Sequence, residues 1–294
     1  MSKLTDLLGT IANTFQIGIG GSGVRTLRFR NGFQGDLTWT PTATRTILLP
    51  NTSGTVQLVG DEPIGSPEGL TLSYVTSSVI AIAAGRAVIA TAGNRAIAVW
   101  GSSGNKNVSS LWSEGTGNGR FTGAAAVGAN QTWHVFLIRN TTTGAVDAGF
   151  DSSVSGANIP SGWVGRIIGS FMTDSSSNIR NFVQTGDRFE WTAAIQDFNN
   201  ANTTTTTSNL ITLTVPTGLN VIAFGRLAAS GAVGNILGGF PGVDADTLFA
   251  ALAGVWSLNE IQTNTSAQIR FYASAASITG VLWTRGFIHP RGAY

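Results

Sequence analysis

From about residue 70 onward the chain is punctuated too often to hold long helices. Turn-forming residues interrupt it at intervals of roughly 8–12 residues, the spacing of strands in a sandwich or barrel. "LTLSYVTSSVIAIAAG", "RAVIATAG" and "RAIAVWGSSG" each run to a Gly. Within such runs apolar and polar residues alternate, and a period of two puts one set on each face of a strand. "TWHVFLIRNTTTGAVDAGF" reads as a hairpin: Thr132–Arg139, a turn over Asn140–Gly144, then Ala145–Phe150. "DSSSN" and "TGD" supply further turns in the run to Trp191, and "LITLTVP" resumes a strand after the polar stretch Asn199–Asn209. One helix is expected in this half, "DADTLFAALAGVW", with Asp244 or Asp246 as N-cap and Leu248, Phe249, Leu252, Val255 and Trp256 on one face. The fold class is therefore mainly all-β, with a β-sandwich or jelly-roll-like domain over residues 71–294.

The first sixty residues follow different rules. Leu4, Leu7, Leu8, Ile11, Ala12 and Phe15 recur at helical spacing, giving a short amphipathic helix interrupted by Gly9. Alone it is marginal in water, so its apolar stripe must dock on copies of itself or on a partner. Gly18, Gly20, Gly21 and Gly23 then make a connector. "VRTLRFRNG" ends in Asn31-Gly32, a hairpin signal, and "FQGDLTWTP", "TRTILLP" and "TVQL" read as short strands. So few residues cannot bury a full core by themselves, which implies association between chains. Residues 1–62 are assigned to an attachment and oligomerisation module, and 63–70, in the Pro- and acid-rich "GDEPIGSPEG", to a linker.

Composition supports that association. Only 11% of residues are charged, against about 25% in ordinary domains, whereas 42% are hydrophobic. An ion-poor, hydroxyl-rich surface is suited to being covered by neighbouring chains, and the apolar content argues against disorder. Lys occurs only at positions 3 and 106, and the remaining basic residues are scattered Arg, with one cluster at Arg25, Arg28 and Arg30. That is not the basic stripe of a nucleic-acid binder. There is no Cys, and no apolar run of about 18 residues suited to membrane insertion. With no signal-peptide pattern at the start, synthesis in a cytoplasm is expected.

Residues with chemical potential are few. The two His, His134 in an apolar strand and His289 in "GFIHP", show no metal-binding spacing, and His134 reads as a structural strand residue. Asp147, Asp151, Asp174 and Asp187 fall where turns are expected, and turn Asp residues bond their own backbone. Glu114 and Glu190 cannot be paired from the sequence. "GIGGSG" lacks the Lys-Ser/Thr of a phosphate loop. No cofactor, metal or catalytic residue is expected. Among the eight Trp, Trp133, Trp191 and Trp283 lie in apolar strands and read as core. Trp100 and Trp112 flank the Gly/Ser/Asn stretch "GSSGNKNVSSL" and are the candidates for ligand or subunit contact.

Two blocks resemble bacteriophage tail-fibre and virion-appendage proteins. The first is "LTWTPTATRTILLPNTSGTVQL", with its Arg45–Pro50 step and Asn51–Val56 turn. The second is Thr132–Trp191, where the family pattern is a "WYHVFLI"-type strand, a "LPSGY-RRIGS" turn and strand, and "TD-SGNI-PF-Q-GDEF-W". Here Trp163 replaces the usual Tyr, and Gly165-Arg166 the usual Arg pair. The resemblance implies a structural virion component, a homotrimer attached to other virion proteins through Leu4, Leu7, Leu8, Ile11 and Phe15. Host-surface glycan would then be a partner of the distal domain. The alternatives are a purely architectural collar, baseplate or capsid-decorating protein and, less favoured, a polysaccharide depolymerase.

Overall fold

Alternation becomes strand throughout the parts of the chain that the computed structural model describes. These are residues 25–31, 33–39, 65, 67–91, 94–200, 209–231, 235–239, 249–252, 256–273 and 278–291. Among them the structure is all-β, without a helix. The expected helix with Leu4, Leu7, Leu8, Ile11 and Phe15 lies outside the described residues. By contact the chain divides into two compact units, Met1–Val56 and Gln57–Tyr294.

In the first unit, β1 (Arg25–Asn31) and β2 (Phe33–Trp39) form an antiparallel pair, with Asn31 opposite Phe33. The hairpin expected at Asn31-Gly32 is thus present.

The described residues of the second unit form four sheets. The largest has the order β12 (Trp163–Met172), β10 (Thr132–Asn140), β11 (Val146–Asp151), β9 (Asn118–Arg120), β8 (Gly104–Leu111), β5 (Val79–Ile82) and β4 (Leu72–Thr76). Its β10–β11 hairpin is the one the sequence announces. β10 is buried on both faces from Thr132 to Ile138, as expected of a central strand covered on each side. A three-stranded sheet runs β3 (Glu68–Gly69), β6 (Gly85–Thr91) and β7 (Asn94–Trp100). Of the stretch 63–70, Pro67 and Leu70 are buried and Glu68–Gly69 pairs with β6.

A five-stranded sheet runs β13 (Phe182–Thr185), β14 (Arg188–Asn200), β21 (Ile278–Ile288), β16 (Ile222–Gly231) and β19 (Trp256–Gln262). The fourth has the order β15 (Asn209–Thr212), β20 (Gln268–Ala273), β17 (Asn235–Gly239) and β18 (Phe249–Leu252). β18 and β19 correct the expected helix in "DADTLFAALAGVW". Its described residues are extended: Ala250 lies opposite Leu237 on β17, and Trp256 opposite Ala228 on β16. Cross-strand pairing there overrides the local preference of an Ala/Leu-rich run.

The core is continuous across these sheets. Trp133, Phe121, Phe150, Phe171, Phe189, Phe271 and Phe287 are all fully buried within it. Phe189 and Phe287 stack nearly parallel, with ring centroids 5.0 Å apart. Trp133 and Trp191 are core residues, as the sequence suggested. Trp283 is only half-buried, because on β21 the inward positions belong to its neighbours Leu282 and Thr284.

Candidate functional site

Several polar residues converge in the interior of the second unit. The register between β10 and β12 shifts between Val135 and Phe136, leaving Ile168 as an extra residue on β12. A bulge leaves the extra residue unpaired with the neighbouring strand. Here Arg291, just beyond β21, donates from Nε to the Ile168 carbonyl at 2.6 Å. Its Nη2 also donates to the carbonyls of Gly69 (3.1 Å) and Leu70 (3.0 Å). Both of those residues are left-handed, with φ of 65° and 52°. At Gly69 a Cβ would lie 2.4 Å from the Ala84 carbonyl oxygen, so Gly is required. Leu70 holds its strained backbone because its side chain is fully buried, and the strain helps to bring two consecutive carbonyls onto one guanidinium.

Arg166, on β12, extends the arrangement. It donates to the carbonyls of Val88 (3.1 Å), Gly65 (2.5 Å) and Arg291 itself (3.1 Å). The carboxylate of Asp187 lies 3.6 Å from Arg291 Nη1 and is itself part-exposed. Burial lowers the pKa of both guanidiniums; Arg291 adds to the effect on Arg166, and Asp187 opposes it on Arg291. Arginine nevertheless stays protonated in proteins, so these cations are solvated chiefly by backbone oxygen.

Next to them lies a bridge that the sequence did not reveal. Ser170 Oγ is 2.9 Å from His134 Nδ1 and 3.0 Å from His289 Nε2, with all three residues buried. His289 Nδ1 is buried without a hydrogen-bond partner. Buried N–H groups are rarely left orphaned, which assigns the proton of His289 to Nε2. The chain of donors then runs from His289 to Ser170 to His134. Burial pushes His134 down to about 4, with the Asp151 charge opposing it. Burial first, then His134 and Arg291, push His289 down to about 3. Both rings are therefore neutral at pH 7. Ser170 is fully enclosed, so it serves as a hydrogen-bonding hub that joins β10, β12 and the segment after β21.

The acids divide in the same way. Asp174 accepts from the backbone N–H groups of Ser176 and Asn178, the turn role expected of it. Asp151 accepts from the N–H groups of Ser153 and Asn158 as β11 ends. Asp147 is a correction: it sits inside β11, buried, and pairs with Lys106. Glu190 pairs with Arg285 at the surface.

Trp100 and Trp112 have different neighbours. The stretch expected as a loop between them is largely β8, and its alternation buries Lys106 and Val108 on one face. Trp100 is half-buried and donates from Nε1 to the Ile82 carbonyl at 3.2 Å. Trp112 stands edge-on to Trp163 (5.3 Å) and Phe121 (6.2 Å), with Leu111 exposed beside it. Trp112 and Trp163 are both half-buried and form an aromatic corner at the surface.

Several strands that end their sheets present aliphatic side chains to solvent: Val75 on β4, Val99 on β7, Val183 on β13 and Leu210 on β15. β4, β13 and β15 contain no charged residue, and β7 has only Arg95. Among the described residues, no group of three or more His, Cys, Asp and Glu could hold a metal ion. Among the described residues no helix is long and apolar enough to cross a membrane, which says nothing of a β-barrel. Comparison with protein-family models, curated proteins and solved structures finds no match to this chain.

Proposed function

We propose that this chain is a structural component of a bacteriophage virion, a tail-fibre or appendage protein that takes part in recognition of the host surface. The observation that carries the reading is the set of sheet-ending strands with exposed aliphatic side chains and almost no guarding charge. β4 is bulged at Val75, whereas β7, β13 and β15 pair without a bulge and contain no Lys or Pro. Monomeric proteins blunt edges with such devices, and an assembled protein covers them with a neighbour. The tail-fibre resemblance supplies the class. Its second block, Thr132–Trp191, contains His134, Asp147, Asp151, Arg166, Ser170 and Asp187, the residues that fasten the distal domain internally.

On this reading the second unit is a sandwich- or jelly-roll-like distal domain, and the chain assembles as a homotrimer. It is made in the host cytoplasm and incorporated into the particle through Leu4, Leu7, Leu8, Ile11 and Phe15, with no catalytic role. The Trp112–Trp163 corner is the surface that suits a glycan ring, since sugars stack on exposed aromatic faces. Weak contact per copy is offset by several copies on one particle.

Two measurements test the proposal. Sedimentation of the full chain should give three times the monomer mass; a monomer would overturn the assembly. Labelled antibody should decorate tail appendages in electron micrographs of particles carrying the chain. Decoration of the collar or capsid instead, with no adsorption of purified protein to host cells, would favour the architectural alternative.

A further inference from the structure

Outside the region of Arg166 and Arg291, Lys106 is a buried cation of a different kind. It is one of only two Lys in the chain, and wherever else the described interior holds a charged base, that base is Arg. Arg delocalises its charge and is a poor nucleophile, whereas the Lys amine becomes nucleophilic once it loses a proton. Lys106 Nζ lies 2.5 Å from Asp147 Oδ1, with the two side chains 2% and 3% exposed. Nζ also donates to the Thr116 carbonyl at 2.6 Å and sits 5.9 Å from the centre of the Trp100 ring. The carboxyl group is held by two backbone donors, Ala148 N–H on Oδ1 (2.7 Å) and Gly115 N–H on Oδ2 (3.1 Å).

We propose that Lys106 and Asp147 condense after folding into an intramolecular amide cross-link between β8 and β11. A buried ion pair bears the desolvation cost of two charges, and moving one proton from Nζ to Oδ1 converts it into a neutral amine facing a neutral acid. Fixed contact replaces a bimolecular encounter, the condition under which intramolecular reactions gain most. Nζ attacks Cγ, and the developing negative charge on Oδ2 is held by the Gly115 N–H in the manner of an oxyanion hole. The Cγ–Oδ1 bond then breaks. Oδ1 leaves as water, carrying the two protons that the ammonium gives up, while the Nζ–Cγ amide keeps the third. Ammonium and carboxylate become amide and water, with no oxidant, metal or cofactor needed. The link spans β9, which separates the two strands in the sheet. This inference is independent of the virion reading.

The test is the mass of the full chain, folded at neutral pH and then measured denatured. The expected result is a species lighter than the sequence mass by one water. Protease digestion should then yield a branched peptide joining the segments around Lys106 and Asp147, with no cleavage after Lys106. Lys106→Arg, which keeps the charge but cannot form the amide, should return to its own sequence mass. Wild-type protein at the full sequence mass, or a water loss mapped to any other pair, overturns the proposal even if the variant fails to fold.

Discussion

The interior holds two cationic regions that solve the same problem in opposite ways. At Lys106 a point charge meets a carboxylate, so the local charge balances in the ion pair and in the amide proposed to form from it. At Arg166 and Arg291, two guanidiniums and two neutral imidazoles share a region whose nearest carboxylate to Arg291 is Asp187, at 3.6 Å and part-exposed. The planar fork of Arg makes the second solution workable, because several N–H donors can each take a different carbonyl. One region tolerates a cation because an anion is present. The other tolerates cations because the backbone has been bent to present oxygens, and it has no further capacity for positive charge.

Acid should expose that difference most strongly. Unfolded imidazoles take up protons near the ordinary value of 6.5, whereas the folded rings do so only near 4 for His134 and near 3 for His289. The folded values are depressed because the protonated form is disfavoured. Stability is therefore complete above about pH 6.5 and declines as pH falls toward the folded values, by up to about 1.4 kcal/mol per pH unit for each ring. Asp151, which faces His134, softens the decline, and Arg291 beside His289 does not. Urea midpoints measured from about pH 8 downward should show the loss beginning near the unfolded value. A flat profile to about pH 5 would mean that the rings are not buried as described.

Arg291→Ala should rank next, with a loss on the order of 3–5 kcal/mol, because it takes this donor from the buried carbonyls of Ile168 and Leu70 and the part-buried one of Gly69. Arg291→Lys should recover little of it, since one ammonium cannot reproduce the fork. Equal midpoints for Arg and Lys at this position would reduce the arrangement to simple charge. Ser170→Ala removes the hub between two imidazoles and should cost about 1–3 kcal/mol, read from the same denaturant curves. At the other extreme, Glu68→Gln breaks an ion pair with Arg86 that is mostly in solvent and should leave the midpoint unchanged.

Strand order and fastening were unequally legible. The β10–β11 hairpin could be read directly, since Thr132–Arg139 and Ala145–Phe150 flank an Asn-Thr-Thr-Thr-Gly turn. The run containing Phe249 and Leu252 could not, because its spacing fits either period and the choice was made by distant partners on β17 and β16. The polar interior was hidden for a related reason. Ser170 joins His134, 36 residues away, to His289, 119 residues away, and nothing local marks such a meeting. Lys106 did leave a signal: it shares the parity of Val108 in a strand-like run, so alternation points it inward. Asp147 reads as a turn residue because acids favour turns, yet it directly follows Val146, the first residue of that hairpin's second strand.

The contacts of Arg291 reach back as far as 222 residues along the chain, to Gly69. Links of that span wait until nearly all the intervening polypeptide is in place, so they belong to the last stage of folding and contribute little at its barrier. Interactions absent from the barrier act on the rate of opening. The left-handed Gly69–Leu70 step therefore bears most on lifetime: a domain closed this way should fold slowly and, once closed, persist.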